Sequence, residues 1–342
     1  MDSDHRSESS RGLERQPGRA AVHRYAAGIC WLVLWAAWLA AATILTVFFS
    51  GTLVPTVVAA LCLVGVLAAR RFWRLAPGVA LIACLGIIAF RTSLTPRNDR
   101  RWVSEYAALP AFTLEADRLT IADLRTFRWS SPTDAVASWQ TRAYSLSNLR
   151  GLDVILEPFP ATPLMAHTML SFDFGPDGRL LLSIEARREA GETYGSIAGG
   201  LNQFELIYLF TDEPDALGLR ALRGDHLYAF PAGVSPLKLR AFLLSLCSAA
   251  ENLRTHPRFY KIIRDNCTTA WLAHSDTLDT NPIGLQLDSI LPGRIARLMH
   301  ERGVMDTDLP YDEAKERFRI DQRIGEFIDD PEFSQRIRER GE

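Results

Sequence analysis

The sequence predicts an α+β domain built on an antiparallel sheet, preceded by an α-helical membrane anchor of about three spans. Three observations carry this reading. From Tyr25 to Ala69 there is no Asp, Glu, Lys or Arg, although 23% of the 342 residues are charged. Residues 167–187 alternate apolar and polar side chains on both sides of Gly175-Pro176-Asp177-Gly178, the pattern of a hairpin. Residues 236–254 change to a helical period, with Leu239, Phe242, Leu243, Leu246 and Ala250 on one face. A formal net charge of −2 offers no basic face for nucleic acid, and the recurrence of apolar residues excludes a disordered chain.

Residues 26–49 form an uncharged run long enough to cross a hydrocarbon core of about 30 Å as a helix. Ser50 and Gly51 interrupt it, and residues 52–69 supply a second span. After Arg70 and Arg71, residues 73–90 supply a shorter third, with Pro77 near its start, where a first turn tolerates proline. In lipid every backbone polar group must bond internally, so helices are the expected form. Residues 1–24, rich in Ser, Arg and Gly, are expected to be disordered. That tail holds Arg6, Arg11, Arg15, Arg19 and Arg24, the first link holds no charge, and the second holds Arg70, Arg71 and Arg74. The positive-inside rule puts the tail and the second link in the cytoplasm and everything after Arg91 outside. A cleaved signal peptide competes, but its apolar region runs only about 7–15 residues. Span counts of two or four compete as well.

Residues 92–342 are read as one polar domain, its core about 110–280 and a helical tail at 283–342. Residues 92–101 read as an exit linker. Residues 112–129 are strand-like in short pieces, whereas 139–153 show no clear period. In the hairpin, His167, Met169, Ser171 and Asp173 share a face, as do Leu181, Ser183, Glu185 and Arg187. A loop of three or five residues keeps the polar faces together, with His167 across from Arg187 and diagonal to Glu185. Residues 204–211 form a further apolar strand and 227–230 a shorter one. Asn266 is a good helix N-cap, which puts Cys267 at the first helical position. The charge-rich segment 312–342 reads as solvated helix.

A cysteine at a helix N-terminus sits where the dipole and free N–H groups favour the thiolate. A histidine on a neighbouring strand completes a nucleophile–base pair, and a third polar group orients the imidazole. Cys267, His167 and Glu185 supply these types, with Ser171 and Asp173 as alternatives for the third. Asn266 reads as a cap or an oxyanion donor, and Glu205 as a supporting group or the exposed side of an edge strand. Outside the cytoplasm, Cys247 and Cys267 also invite a disulfide, and that reading stays open beside the nucleophile. Cys247 sits among leucines and reads as a core thiol. His226, His256, His274 and His300 lack ligand-like spacing, so no metal is expected. No cofactor is expected either, since no nucleotide-binding glycine pattern occurs.

Several stretches together resemble the Lnb N-terminal periplasmic domain family. They are Ala166-His167-Thr168-Met169-Leu170-Ser171-Phe172-Asp173-Phe174, Leu181-Leu182-Ser183-Ile184-Glu185-Ala186-Arg187, Phe204-Glu205-Leu206-Ile207-Tyr208, and Phe259-Tyr260 leading to Asn266-Cys267-Thr268-Thr269. Pro96-Arg97-Asn98-Asp99-Arg100 with Trp102, Leu124-Arg125-Thr126-Phe127 and Leu291-Pro292-Gly293 extend the likeness over residues 95–340. The resemblance implies a permuted papain-like (NlpC-type) fold, in which His precedes Cys. It implies a periplasmic domain of the bacterial inner membrane that N-acylates lipoproteins. Cys267 would attack an ester of a phospholipid donor and hold the acyl chain as a thioester. His167 would act as base and then acid, and a lipoprotein amine would accept the chain. Glu185 would orient the imidazole, with Asn266, Ser171, Glu205 and Tyr260 in support or in the oxyanion hole. The N-terminal anchor has no match in the transferase members, so the acceptor follows from the resemblance alone. Two other readings stand beside this one: a cysteine hydrolase acting on a peptide, amide or lipid ester through the same site, and a tethered binding domain whose Cys267 is structural.

Overall fold

The computed structural model describes residues 92–160, 162, 164–194, 202–278, 282–284 and 286–339, with 82, 85, 86 and 89 before them. The tail at 1–24 and the spans at 26–49 and 52–69 lie outside the described residues, and so does 73–90 apart from those four positions. Among the described residues no helix is long and apolar enough to cross a membrane. The chain divides into units Met1–Ser93 and Leu94–Glu342, and the second carries the fold set out below.

Ten strands are described. β1 (Ala111–Glu115), β2 (Arg118–Arg125), β3 (Arg128–Ser131), β4 (Asp134–Val136) and β5 (Trp139–Ser145) come first. β6 (Gly151–Pro158), β7 (Ala166–Asp173), β8 (Arg179–Arg187), β9 (Glu205–Thr211) and β10 (Tyr228–Pro231) follow. Among the described residues eight strands make one sheet in the order β1-β2-β9-β8-β7-β6-β10, with β5 beside β2. Pairing is antiparallel except for a single parallel rung, Arg125 to Thr211. The α+β class stands. Residues 139–153, aperiodic in the sequence, contribute β5 and β6. β6 is central and buried on both faces, so it carries no alternation to detect.

Helices cover both faces. α1 (Glu213–Arg223) begins where the Asp212 side chain accepts the Asp215 N–H and ends at Gly224 in the left-handed conformation. α2 (Pro236–Thr255) buries Leu239, Phe242, Leu243, Leu246, Cys247, Ala250 and Leu253, the face expected from its period. α3 (Thr269–Asp276) follows Cys267. α4 (Leu287–Ile290), α5 (Ile295–Glu301), α6 (Tyr311–Arg317), α7 (Asp321–Phe327) and α8 (Phe333–Arg336) complete the chain. Strand alternation separates the two layers. Met169, Leu181 and Ile155 pack with Ala216 and Leu217 of α1. On the other face Thr168 meets α3, and Phe172 meets Phe242 of α2.

Two expectations fail here. The segment 312–342 is docked rather than solvated: Ile320, Ile324, Phe333 and Ile337 are buried in the α1 layer. A Cβ at Gly218 would come within 2.9 Å of Ile328, so the absence of a side chain lets the tail approach α1. Arg338 closes the contact onto buried Glu213 and Asp153. The helices read as solvated because their apolar residues are few and their turns short. The exit linker is also docked. Asn98 Nδ2 donates to the Leu253 and Arg254 carbonyls, and the Arg97 N–H donates to Glu205. Buried Arg187 donates to Asn98 Oδ1 and lies 4.0 Å from the centre of the Trp102 ring.

Candidate active site

The β7–β8 ladder runs from Asp173↔Arg179 to Met169↔Ser183, closing a five-residue loop. Continued two residues, this register puts His167 across from Glu185, not Arg187 as the sequence suggests. A loop of three or five residues centred on Pro176 itself requires that pairing, so the Arg187 assignment is off by two positions on the same face. No rung is formed beyond Met169↔Ser183: there β7 runs on with β6, where Glu157 opposes His167, and β8 with β9. Cys267 sits at this unpaired end, its Sγ 3.7 Å from the Ala166 carbonyl oxygen.

Asn266 builds the approach to Cys267. Its Oδ1 accepts the N–H groups of Thr268 and Thr269, both at 2.8 Å, and its Nδ2 donates to the Ile262 carbonyl. The side chain is thus a cap and brace, with one of its two Nδ2 donors used by Ile262. The α-helix starts two residues after the expected Cys267, although the Asn266 carbonyl already accepts the Ala270 N–H. The Cys267 N–H makes no hydrogen bond among the described residues. Thr168, on the opposite face of β7 from His167, ties the two halves together. Its hydroxyl donates to the Cys267 carbonyl at 2.8 Å and accepts from Trp271 Nε1 at 3.1 Å.

His167 Nε2 lies 2.7 Å from Ser183 Oγ and 3.2 Å from Glu185 Oε1. Ser183 donates its own proton to Glu185 at 2.7 Å, so toward Nε2 it accepts. This leaves Nδ1 for the thiol. Glu185 lies 3.7 Å from Arg220 of α1, whose Nε holds Glu157. Burial alone would lower the His167 pKa, but the Glu185 carboxylate and the Cys267 sulfur outweigh it and push it up to about 10. Burial likewise opposes the Cys267 thiolate, yet the His167 charge, a hydrogen bond from the imidazole and the Thr168 N–H bring its pKa below the ordinary value. Glu185 is held well below the usual carboxylate range, with His167 and Arg220 overcoming its burial. The arrangement favours the charged pair, thiolate beside imidazolium, with a carboxylate bracing it.

Cys267 is not disulfide-bonded; Cys247 and Cys267 are both free and buried. Burial pushes the Cys247 thiol up, as a core thiol requires. Of the other candidates, Tyr260 lines the cleft with Cys267, and its hydroxyl pairs with Tyr194. Ser171 is not at the site: it donates to Glu213 at 2.6 Å. Asp173 pairs with Arg179 and Arg150 at the loop end of the hairpin. Glu205 is buried at the docked N-terminal segment, 3.3 Å from Arg100. Alternation put Ser171, Asp173 and Glu205 on the right face but could not say how far along it they lie from the thiol. Ser183 and Thr168 were missed as site residues. Their signal was placement: Ser183 two before Glu185 on its face, and Thr168 beside His167.

The cleft over the pair encloses about 290 Å³ and is walled by Tyr194, Tyr260, Arg220 and Ile184 among others. A family model described as the Lnb N-terminal periplasmic domain matches residues 135–300. Over these residues the chain is similar to that family. No curated protein and no solved structure matches. The Lnb N-terminal domain segment contains His167, Ser183, Glu185, Arg220, Tyr260 and Cys267, and it is narrower than the 95–340 stretch the motifs suggest. The flanks add β1, β2, the docked 94–102 segment and the tail. The family is one of periplasmic domains, which implies a periplasmic location in bacteria.

The pair has a titration consequence. The Cys267 thiolate is present below the ordinary thiol value of 9.0, and the imidazolium persists until the pH passes about 10. Iodoacetamide is expected to modify Cys267 well below pH 9 while sparing Cys247. In His167→Ala burial and the Glu185 charge oppose the thiolate with only the Thr168 N–H in its favour, so the rise in alkylation rate should move to higher pH. Mass spectrometry of both cysteines against pH checks this, and an unmoved profile in His167→Ala would refute the pair.

Proposed function

We propose that this domain is a permuted papain-like cysteine acyltransferase that moves an acyl chain from a phospholipid ester to the amine of a lipoprotein. The observation carrying it is the meeting of thiol, imidazole and carboxylate, from the turn before α3, from β7 and from β8, in one cleft. Such an ordered trio with a perturbed thiol fits nucleophilic catalysis better than structure. That His167 precedes Cys267 in the chain supports the permuted arrangement, and the family match supports a periplasmic setting.

In the first half-reaction Cys267 Sγ attacks the ester carbonyl carbon. A C–S bond forms, and the carbonyl electrons move onto oxygen. The Cys267 N–H, which makes no hydrogen bond among the described residues, is the donor we assign to that oxyanion. Collapse breaks the ester C–O bond, and the leaving alkoxide takes the imidazolium proton from His167. In the second half the acceptor amine attacks the thioester, His167 takes its proton, and Cys267 leaves as thiolate. Glu185 and Ser183 hold Nε2 throughout, so that Nδ1 carries the proton in transit.

Intact mass of the purified full chain after incubation with phospholipid tests the first half. One acyl adduct, mapped to Cys267 and absent in His167→Ala, is expected. Release of free fatty acid by water at the same rate with and without an amine acceptor would favour the hydrolase instead. No adduct in any condition would sink the nucleophile.

A further inference from the structure

We infer that the rim of the Cys267 cleft is a lipid-surface docking face, which rests the cleft mouth against an anionic bilayer. Large apolar side chains left in water are normal when scattered and informative when contiguous. Phe159 is 37% exposed, Leu164 54%, Tyr194 45%, Leu222 45% and Ile263 52%. They stand on four separate segments, all flanking this cleft. Phe159 and Tyr194 line it directly. Leu164 precedes Met165, and Ile263 follows Ile262, both lining residues. Leu222 lies one turn on from Leu219, another lining residue, on the same face of α1. Leu237, 81% exposed on α2, is a scattered case: none of its chain neighbours lines the cleft.

Charge selects the occupant. Lys261 and Arg264 are exposed beside Ile263 and form no ion pair among the described residues, and Arg223 is exposed beside Leu222 with its charge acting on Asp225. The nearby Asp265 lies 3.8 Å from Arg258. Apolar tips flanked by such cations match an interface with anionic headgroups, where the tips enter the acyl boundary and the cations meet phosphate. A polypeptide partner would also accept apolar contacts, but an apolar peptide gives no reason for Lys261 and Arg264 to flank Ile263 without acidic partners. Docked in this way, the cleft would open onto lipid, so a donor ester could reach Cys267 without its chains crossing water.

The inference rests on the cleft being the working site, but its test does not need turnover. An environment-sensitive fluorescent amino acid replaces Ile263, Leu164 or Leu237 in the full chain carrying Cys267→Ala. Each protein is reconstituted in vesicles of phosphatidylglycerol and phosphatidylcholine, with and without brominated acyl chains. Bromine quenching is expected at positions 263 and 164 and not at 237. With Lys261→Glu and Arg264→Glu together, quenching at 263 should fall to the level of 237. Equal quenching at all three positions overturns the docking face, as does quenching at 263 that charge reversal leaves unchanged. Because the thiol is absent, quenching without acyl transfer in the parent protein would fault the chemistry and keep the docking face.

Discussion

Cys267→Ala is expected to leave the domain folded and to abolish acyl release from phospholipid, a loss of about 10⁴-fold or more. Apart from the His167 imidazole and the Thr168 N–H, the sulfur makes only long contacts, 3.7 Å to the Ala166 carbonyl and 3.9 Å to the Thr268 hydroxyl, so the framework of the fold does not hang on it. The cap at Asn266 and the Thr168 link use backbone atoms of 267–269 and survive the substitution. His167→Ala should cost nearly as much, and the double variant little more, because the two act as one unit. Glu185→Gln keeps the shape but cannot stabilise an imidazolium, and a fall of roughly 10²-fold is expected. Acyl release by mass spectrometry, beside circular dichroism and thermal melting, decides the matter. A Cys267→Ala protein that melts normally and still releases acyl chain would remove Cys267 from the chemistry; one that fails to fold would favour a structural thiol.

Arg338→Ala should be the most damaging single change outside the cleft. Glu213 is fully buried, and its carboxylate meets Ser171 at 2.6 Å and Arg338 Nη1 at 2.9 Å. Arg338 Nε also meets Asp153 at 2.7 Å, where Arg179 arrives from β8. Burial raises the Glu213 pKa, but Arg338 and Arg179 outweigh it and bring it to about 2. A depressed carboxylate stabilises the fold above its ordinary value of 4.5, and that contribution is lost as pH falls toward 2. Without Arg338 the charge stays buried and poorly compensated, at a cost of about 3–5 kcal/mol near neutral pH. For a domain of this size that is roughly 10 °C in melting temperature. The α7–α8 segment should also become protease-sensitive first. Arg338→Lys should recover part of the loss, since a single ammonium can replace one of the two contacts but not the fork. Unchanged melting of Arg338→Ala would mean that the apolar residues of the tail suffice alone.

Much of this domain was legible because its signals are local. The β7–β8 hairpin shows strict alternation around a turn rich in Gly and Pro, and α2 shows a five-residue apolar face; both form as read. β6 escaped because a strand buried on both faces has no period. α1 escaped although Asp212, Pro214 and Gly224 mark its ends, because its interior mixes charge with Gly218. The site was legible in its chemical types. Cys267, His167, Glu185 and Tyr260 meet in one cleft, while Ser171 and Glu205 belong to distant ion-pair clusters.

By itself the sequence determined the α+β class, the hairpin, the capped turn before α3 and the residue types able to form a thiol–imidazole pair. Each depends on spacing within one element, which chain geometry converts directly into a face or a cap. Only the tertiary structure decided that Ser183 bridges His167 and Glu185, that Cys267 arrives beside them, and that the charged tail is docked. Those outcomes depend on contacts between segments up to 185 residues apart, as with Arg338 and Asp153. Spacing within one element carries no information about which distant element packs against it, so no local signal could supply them.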